Sequence, residues 1–167
     1  MNRITKKLAG IRLVAFDVDG VFTDGRFYLS DDGIETKAFN TQDGFGIRKL
    51  ISVNIAVAVI SGRKSGAVER RMTELGVPHV VQGCADKVAA LDNIIETLGI
   101  AASECAFVGD DTPDLPLLEY VGVPIAVANA VEKVRAHCDY TTSACGGHGA
   151  VREVCELVLS ARGSSLC

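Results

Sequence analysis

The chain has 167 residues, 48% of them hydrophobic and 23% charged, with a formal net charge of −4. That is enough chain for one domain with a proper core, and the acidic balance argues against nucleic acid as a partner. No apolar run approaches the roughly 20 residues that a membrane span needs.

The basic start, with Arg3, Lys6 and Lys7, runs into Asp17 and Asp19 rather than a small-residue cleavage site. A cytoplasmic protein that touches no membrane is expected. The six cysteines, Cys84, Cys105, Cys138, Cys145, Cys155 and Cys167, form no CxxC pair. Neither a disulfide framework nor a zinc site is supported.

The first apolar run, Ile11–Phe16, reads as a buried strand that ends on two acids in FDVDGVFTDG. Residues 21–40 hold two strand-like runs on either side of Asp32-Gly33, a hairpin signal. A helical pattern at about Gly44–Val53 precedes a strand at Ile55–Ile60. The alternation continues with a helix at Ser65–Leu75, a strand at His79–Val81, a helix at Asp86–Leu98 and a strand at Cys105–Val108. It closes with a helix at Pro113–Tyr120, a strand at Val123–Ala126, a helix at Val131–His137, a weak strand at Asp139–Thr141 and a last helix at Ala150–Ala161.

Gly76, Gly99 and Gly122 stand where helices should stop. The strand runs are apolar throughout, as they are when helices cover both faces. This predicts an α/β fold with a doubly wound, largely parallel sheet, one domain over 1–167, a hairpin flap at about 21–40 and a tail at about 145–167.

In such a sheet, ligands collect outside the carboxyl ends of the strands. Those ends carry Asp17 and Asp19, then Ser61-Gly62-Arg63, then Lys87 early in the following helix, then Gly109-Asp110-Asp111-Thr112-Pro113-Asp114. Singly, several have plain readings: Ser61 as a helix cap, Lys87 as a solvated helix residue, Asp114 as an exposed acid. Jointly, clustered carboxylates ask for a hard dication such as Mg²⁺. A carboxylate beside Mg²⁺ can attack phosphorus, and a second acid can move the leaving group's proton. Ser61 and Lys87 can then stabilise the phosphoryl oxygens.

Asp17-Val-Asp-Gly-Val, Ser61, Lys87 and Gly109-Asp-Asp-x-x-Asp114 resemble, in order and over nearly the whole chain, the four motifs of the haloacid dehalogenase-type phosphatases. The resemblance implies a Rossmannoid fold with Asp17 as nucleophile and Asp19 as general acid/base. It implies Asp17, the backbone carbonyl of Asp19, and Asp110 as Mg²⁺ ligands, with Asp111 and Asp114 behind them or as alternative ligands. The stretches DGFGIRKL, SGR, GDDTPDLP and GGHGAVREV, with the hairpin, resemble the branch that dephosphorylates the sugar acid 3-deoxy-D-manno-octulosonate 8-phosphate in lipopolysaccharide synthesis.

Carried over, that likeness implies substrate contacts at Asp19, Asn40, Thr41, Gln42, Asp43, Gly44, Arg48, Arg63, Arg71 and Lys87. Guanidinium groups suit bidentate recognition of a carboxylate. The plain reading of Arg71, beside Glu69 and Arg70, is a surface ion pair. Gln42 and His148 stand where relatives often carry Arg or Lys. A nine-carbon sugar acid 9-phosphate therefore remains as an alternative substrate.

Many relatives close the site with an inserted cap domain. Here 43 residues lie between Asp17 and Ser61 and 25 between Ser61 and Lys87, and the predicted elements fill both. The resemblance implies a homotetramer in which neighbouring chains help close each site. Gly146-Gly147-His148-Gly149 is glycine-rich enough for a lid. Two readings of other classes are a phospho-receiver domain and a non-catalytic scaffold. The first puts its phosphorylated Asp on a later strand than the acid pair; the second would lack Asp17 or Asp19.

Overall fold

The computed structural model describes residues 3–163. Its centre is a six-stranded sheet in the order β5-β4-β1-β6-β7-β8, parallel at every pairing. The strands are β1 (Leu13–Phe16), β4 (Ala56–Ser61), β5 (His79–Gln82), β6 (Cys105–Gly109), β7 (Val123–Ala126) and β8 (Tyr140–Thr141). β1 and β6 are buried at every residue and β4 at all but its first. That explains their unbroken apolar sequence: a strand with helices on both faces has no solvated side. The remaining strands, β2 (Tyr28–Leu29) and β3 (Glu35–Thr36), form the antiparallel hairpin, with Gly33 at φ +77° in its turn.

The helices are α1 (Arg3–Ala9), α2 (Thr41–Ser52), α3 (Gly66–Leu75), α4 (Lys87–Leu98), α5 (Leu115–Tyr120), α6 (Glu132–His137) and α7 (Ala150–Ala161). They pack in two groups: α7 lies on α1 and α2, and α2 touches α3, while α5 touches both α4 and α6. Right-handed crossovers explain the grouping. The chain moves one way along the sheet from β1 to β5 and the other way from β6 to β8, so the connecting helices fall on opposite faces. The direction reverses between β1 and β6, which opens a crevice at their carboxyl ends.

The sequence-based boundaries hold within a residue or two, with three instructive differences. α2 begins at Thr41 rather than Gly44, because the Asn40 side chain caps it by accepting from the Gln42 N–H at 2.8 Å. The segment before α5 opens as a 3-10 turn, Thr112–Asp114, shaped by the site described below. Gly76 and Gly99 are left-handed helix caps at φ +73° and +62°. Gly122 is not; a Cβ there would collide with the Ser103 carbonyl, so its smallness serves a close approach.

The expected lid or tail at about 145–167 starts as a hydrogen-bonded loop. Gly147 N–H donates to Val21 O at 3.0 Å and Gly146 N–H to Asn129 Oδ1 at 2.8 Å, so the loop is pinned to the turn after β1. α7 then buries Val151, Val154, Cys155 and Val158 completely. Residues 164–167, the end of the expected tail, lie outside the described residues. None of the described helices is long and apolar enough to cross a membrane.

Candidate active site

Three adjacent strands, β4, β1 and β6, bring Ser61, Asp17 and Asp110 to one edge of the sheet. The Asp17 N–H donates to Val108 O at 3.0 Å, which carries the β1–β6 ladder one residue past the strand. The side chain of Asp17 is thus launched from fixed backbone and is only 7% exposed.

Asp114 reaches the same point from the turn after β6. It is 2% exposed, and its Oδ2 accepts from the Asp110 N–H at 3.0 Å and the Asp111 N–H at 3.4 Å. This acid organises the turn that carries Asp110, and its plain reading as an exposed residue is corrected by that burial. Asp111 does face solvent, where it caps the 3-10 turn through the Thr112 N–H at 2.7 Å.

Lys87 is not a solvated helix residue either. Asp86 caps α4 by accepting from the Val88 and Ala89 N–H groups at 3.0 Å each, which turns the first helical side chain back to the strand ends. Its Nζ donates to Asp17 Oδ1 and Asp114 Oδ1, both at 2.7 Å. Ser61 is buried at the end of β4 and accepts from the Arg63 N–H at 3.3 Å; the N-cap of α3 is Ser65, not Ser61. Gly20 completes the first motif at φ +89°, and a Cβ there would collide with the Asp110 carboxylate.

Carboxylate oxygens of Asp17, Asp110 and Asp114 lie within 4.8 Å of one another. One ammonium cannot balance three such groups. Burial, then repulsion from Asp114, pushes Asp17 up to about 6 against the pull of Lys87. Burial and the charges of Asp17, Asp114 and Asp111 push Asp110 to about 7. Burial alone would lower Lys87, but Asp17 and Asp114 more than offset it and hold its ammonium above the ordinary lysine range. The all-oxygen donor set and its charge deficit fit a hard divalent cation.

These residues share a cavity of about 320 Å³ whose walls also include Asp19, Arg63 and Asp111. The Asp19 carboxylate stands at the rim of this cavity, where it pairs with Lys37 and Arg63. A larger hollow of about 830 Å³ lies between the hairpin and α3, lined by Leu29, Ile34, Phe39 and Arg71 among others. None of the three clustered acids reaches it.

The other expected substrate residues are not brought to the small cavity within one chain. Asn40, Thr41 and Gln42 form the exposed or half-exposed start of α2, and Arg48 lies exposed on its outer face. Gly44 is buried, and a Cβ there would meet the Arg71 guanidinium. Arg71, whose side chain is mostly buried, pairs with the exposed Glu74 at 2.9 Å. Asp43 is 1% exposed; its Oδ1 accepts from the Arg152 N–H at 2.8 Å in the first turn of α7, while its Oδ2 has no hydrogen-bond partner. As placed, this carboxylate caps a neighbouring helix and does not face a ligand. Burial pushes it up to about 6.

Sequence reasoning missed Lys37, whose side chain has no exposed surface and pairs with Asp19. Its only signal was a lysine in a hairpin strand beside the acid pair, which reads equally well as an edge-strand charge.

The crevice, the four strand-end motifs and the acid cluster define a haloacid dehalogenase-like hydrolase, and residues 78–153 match that family's profile. The 3-deoxy-D-manno-octulosonate 8-phosphate phosphatase KdsC of Salmonella typhi is 47% identical over 97% of this chain and 86% of its own. The phosphatase of Moraxella catarrhalis, solved with a magnesium ion, a phosphate ion and a KDO molecule, superposes with a TM-score of 0.95. It is 48% identical and covers 98% of this chain and 94% of its own. The cobalt-bound enzyme of Haemophilus influenzae gives a TM-score of 0.91 at 39% identity, over 94% and 92% of the two chains. This chain belongs to the 3-deoxy-D-manno-octulosonate 8-phosphate phosphatase family.

Proposed function

We propose that this chain is a Mg²⁺-dependent phosphatase that hydrolyses 3-deoxy-D-manno-octulosonate 8-phosphate to the free sugar acid and phosphate. The observation that carries the mechanism is the cluster of Asp17, Asp110 and Asp114 bridged by Lys87, with Asp19 at its rim. Asp17 and Asp110, with the backbone carbonyl of Asp19, would hold Mg²⁺, and Asp114 supports them from behind. When bound, Mg²⁺ supplies the positive charge that the three acids lack and that a phosphoryl group needs.

Asp17 attacks phosphorus with a carboxylate oxygen, the ester P–O bond breaks, and Asp19 protonates the departing sugar oxygen. Asp19 then takes a proton from water, the water oxygen attacks phosphorus, and the bond to Asp17 breaks to release phosphate. Lys87 keeps Asp17 turned to the substrate, and both Lys87 and the Ser61 hydroxyl face the phosphoryl oxygens. Arg63, at the rim and half exposed, offers its guanidinium to the sugar acid carboxylate.

The remaining substrate contacts, Asn40, Thr41, Gln42, Arg48 and Arg71, act across a homotetramer in the cytoplasm, where neighbouring chains close each site. Two features support that reading: the chain has no inserted cap, and the hairpin exposes Phe27, Tyr28, Leu29 and Ile34, at 41% to 71%. The test is Mg²⁺-dependent phosphate release from the eight-carbon acid phosphate, the nine-carbon 9-phosphate and common hexose phosphates. Preference for the eight-carbon acid is expected. Preference for a hexose phosphate would overturn the substrate while leaving the chemistry.

A further inference from the structure

Lysine is rarely buried without a partner that repays its lost hydration. Lys37, the residue after β3, has no exposed side-chain surface. Its Nζ donates to Asp19 Oδ1 and lies 3.5 Å from Glu35 Oε1. Arg63 closes a ring from the other side, with its Nη2 2.7 Å from Glu35 Oε2 and its Nε 3.7 Å from Asp19 Oδ2. The Phe27 ring faces both cations, at 5.5 Å from Lys37 Nζ and 4.3 Å from Arg63 Cζ. The signs alternate around the ring, and its members come from three places: the turn after β1, the hairpin, and the turn after β4.

We propose that Lys37 is a positioning residue for the reaction: it fixes the Asp19 carboxylate so that Oδ2 is the oxygen presented to the leaving group. This rests on the phosphatase reading above. Asp19 sits on a turn with two free side-chain torsions, and the Lys37 hydrogen bond removes that freedom at Oδ1. Oδ2 has only the longer contact with Arg63, which is half exposed and free to move to a substrate. Lys37 has no such freedom. The two lysines thus divide the work: Lys87 orients Asp17, and Lys37 orients Asp19. The hairpin becomes part of the proton-transfer apparatus, not only a flap, because Lys37 reaches Asp19, and Glu35 braces Lys37 and Arg63, only while the hairpin keeps its place.

The test compares two esters on the Mg²⁺-loaded enzyme. An alkyl phosphate, such as the sugar acid phosphate, needs a proton on its leaving oxygen. p-Nitrophenyl phosphate releases a stable phenolate and does not. Lys37→Met should lower kcat/KM for the alkyl ester on the order of 10²-fold, and for the aryl ester by less than about tenfold. Lys37→Arg should recover part of the difference.

Equal losses on both esters would overturn the proposal, because a merely structural defect does not sort substrates by leaving group. If circular dichroism shows Lys37→Met unfolded, Lys37→Gln, which keeps a buried hydrogen-bond donor but is shorter and uncharged, reads the same ratio with the contact to Asp19 Oδ1 weakened. A selective loss of about three- to tenfold on the alkyl ester is expected there, and an unmoved ratio would overturn the proposal. Wild-type turnover without Mg²⁺, or full alkyl-ester activity in Asp19→Asn, would instead overturn the phosphatase reading itself.

Discussion

The strand-end cluster and the start of α2 teach opposite lessons about how a site is built. Asp17, Ser61 and Asp110 are placed by the ladder between neighbouring parallel strands, so backbone pairing alone brings them together. The 40–48 segment and Arg71 are placed by helices that face outward or pack on α7. The first region is complete in one chain. The second stands apart from that crevice within one chain, so the two regions have separate structural origins.

The comparison breaks at once if the cluster is not the chemical centre. Asp17→Asn should lose on the order of 10⁴-fold in kcat with its circular dichroism and Tm little changed; near-normal turnover would remove the covalent route. Chelation should silence the enzyme and Mg²⁺ restore it. The thermal stabilisation by Mg²⁺ should grow from about pH 5.5 to 7.5, because Asp17 (about 6) and Asp110 (about 7) must shed their protons to serve as ligands. At 100 times its Kd, Mg²⁺ should add about 2.7 kcal/mol, and a stabilisation independent of pH would exclude these acids as its ligands.

A smaller effect sharpens the contrast between the regions. Arg71→Ala should raise KM about tenfold with kcat nearly unchanged. Mixed oligomers of Asp17→Asn and Arg71→Ala subunits should recover part of the lost efficiency, because some sites then pair an intact Asp17 with a neighbour's intact Arg71. No recovery would confine Arg71 to its ion pair with Glu74.

The smallest effect concerns Asp43. Its carboxyl is raised to about 6 by burial, so the folded state holds a proton that the unfolded chain releases near pH 4. Its contribution to stability is present at the acid end and is lost as pH rises through about 6. Asp43→Asn should flatten that part of the Tm profile; an unaltered slope would assign it to other groups.

The fold was legible in the sequence because its signals are local. β1 and β6 are unbroken apolar runs, Asp32-Gly33 marks a turn, and Gly76 and Gly99 cap their helices. The paired acids at the end of β1 were legible for the same reason. Lys37 was missed, and the burial of Lys87 and Asp43 was not foreseen, because what fixes each is a partner distant in the chain: Asp17 is 70 residues from Lys87, and Arg152 is 109 from Asp43. No spacing rule reports such a meeting. The start of α2 was missed more simply, since two glycines near its beginning mask a helix that Asn40 caps.

The pairing of β1 with β6 also governs which changes of length the chain can survive. One residue gained or lost inside β6 would slide Asp110 by about 3.3 Å and turn it to the other face of the sheet. The helices and the hairpin tip carry no such alignment. Insertions and deletions among descendants of this gene should therefore gather there, and β1, β4 and β6 should keep a constant count of residues up to their acidic or hydroxyl ends.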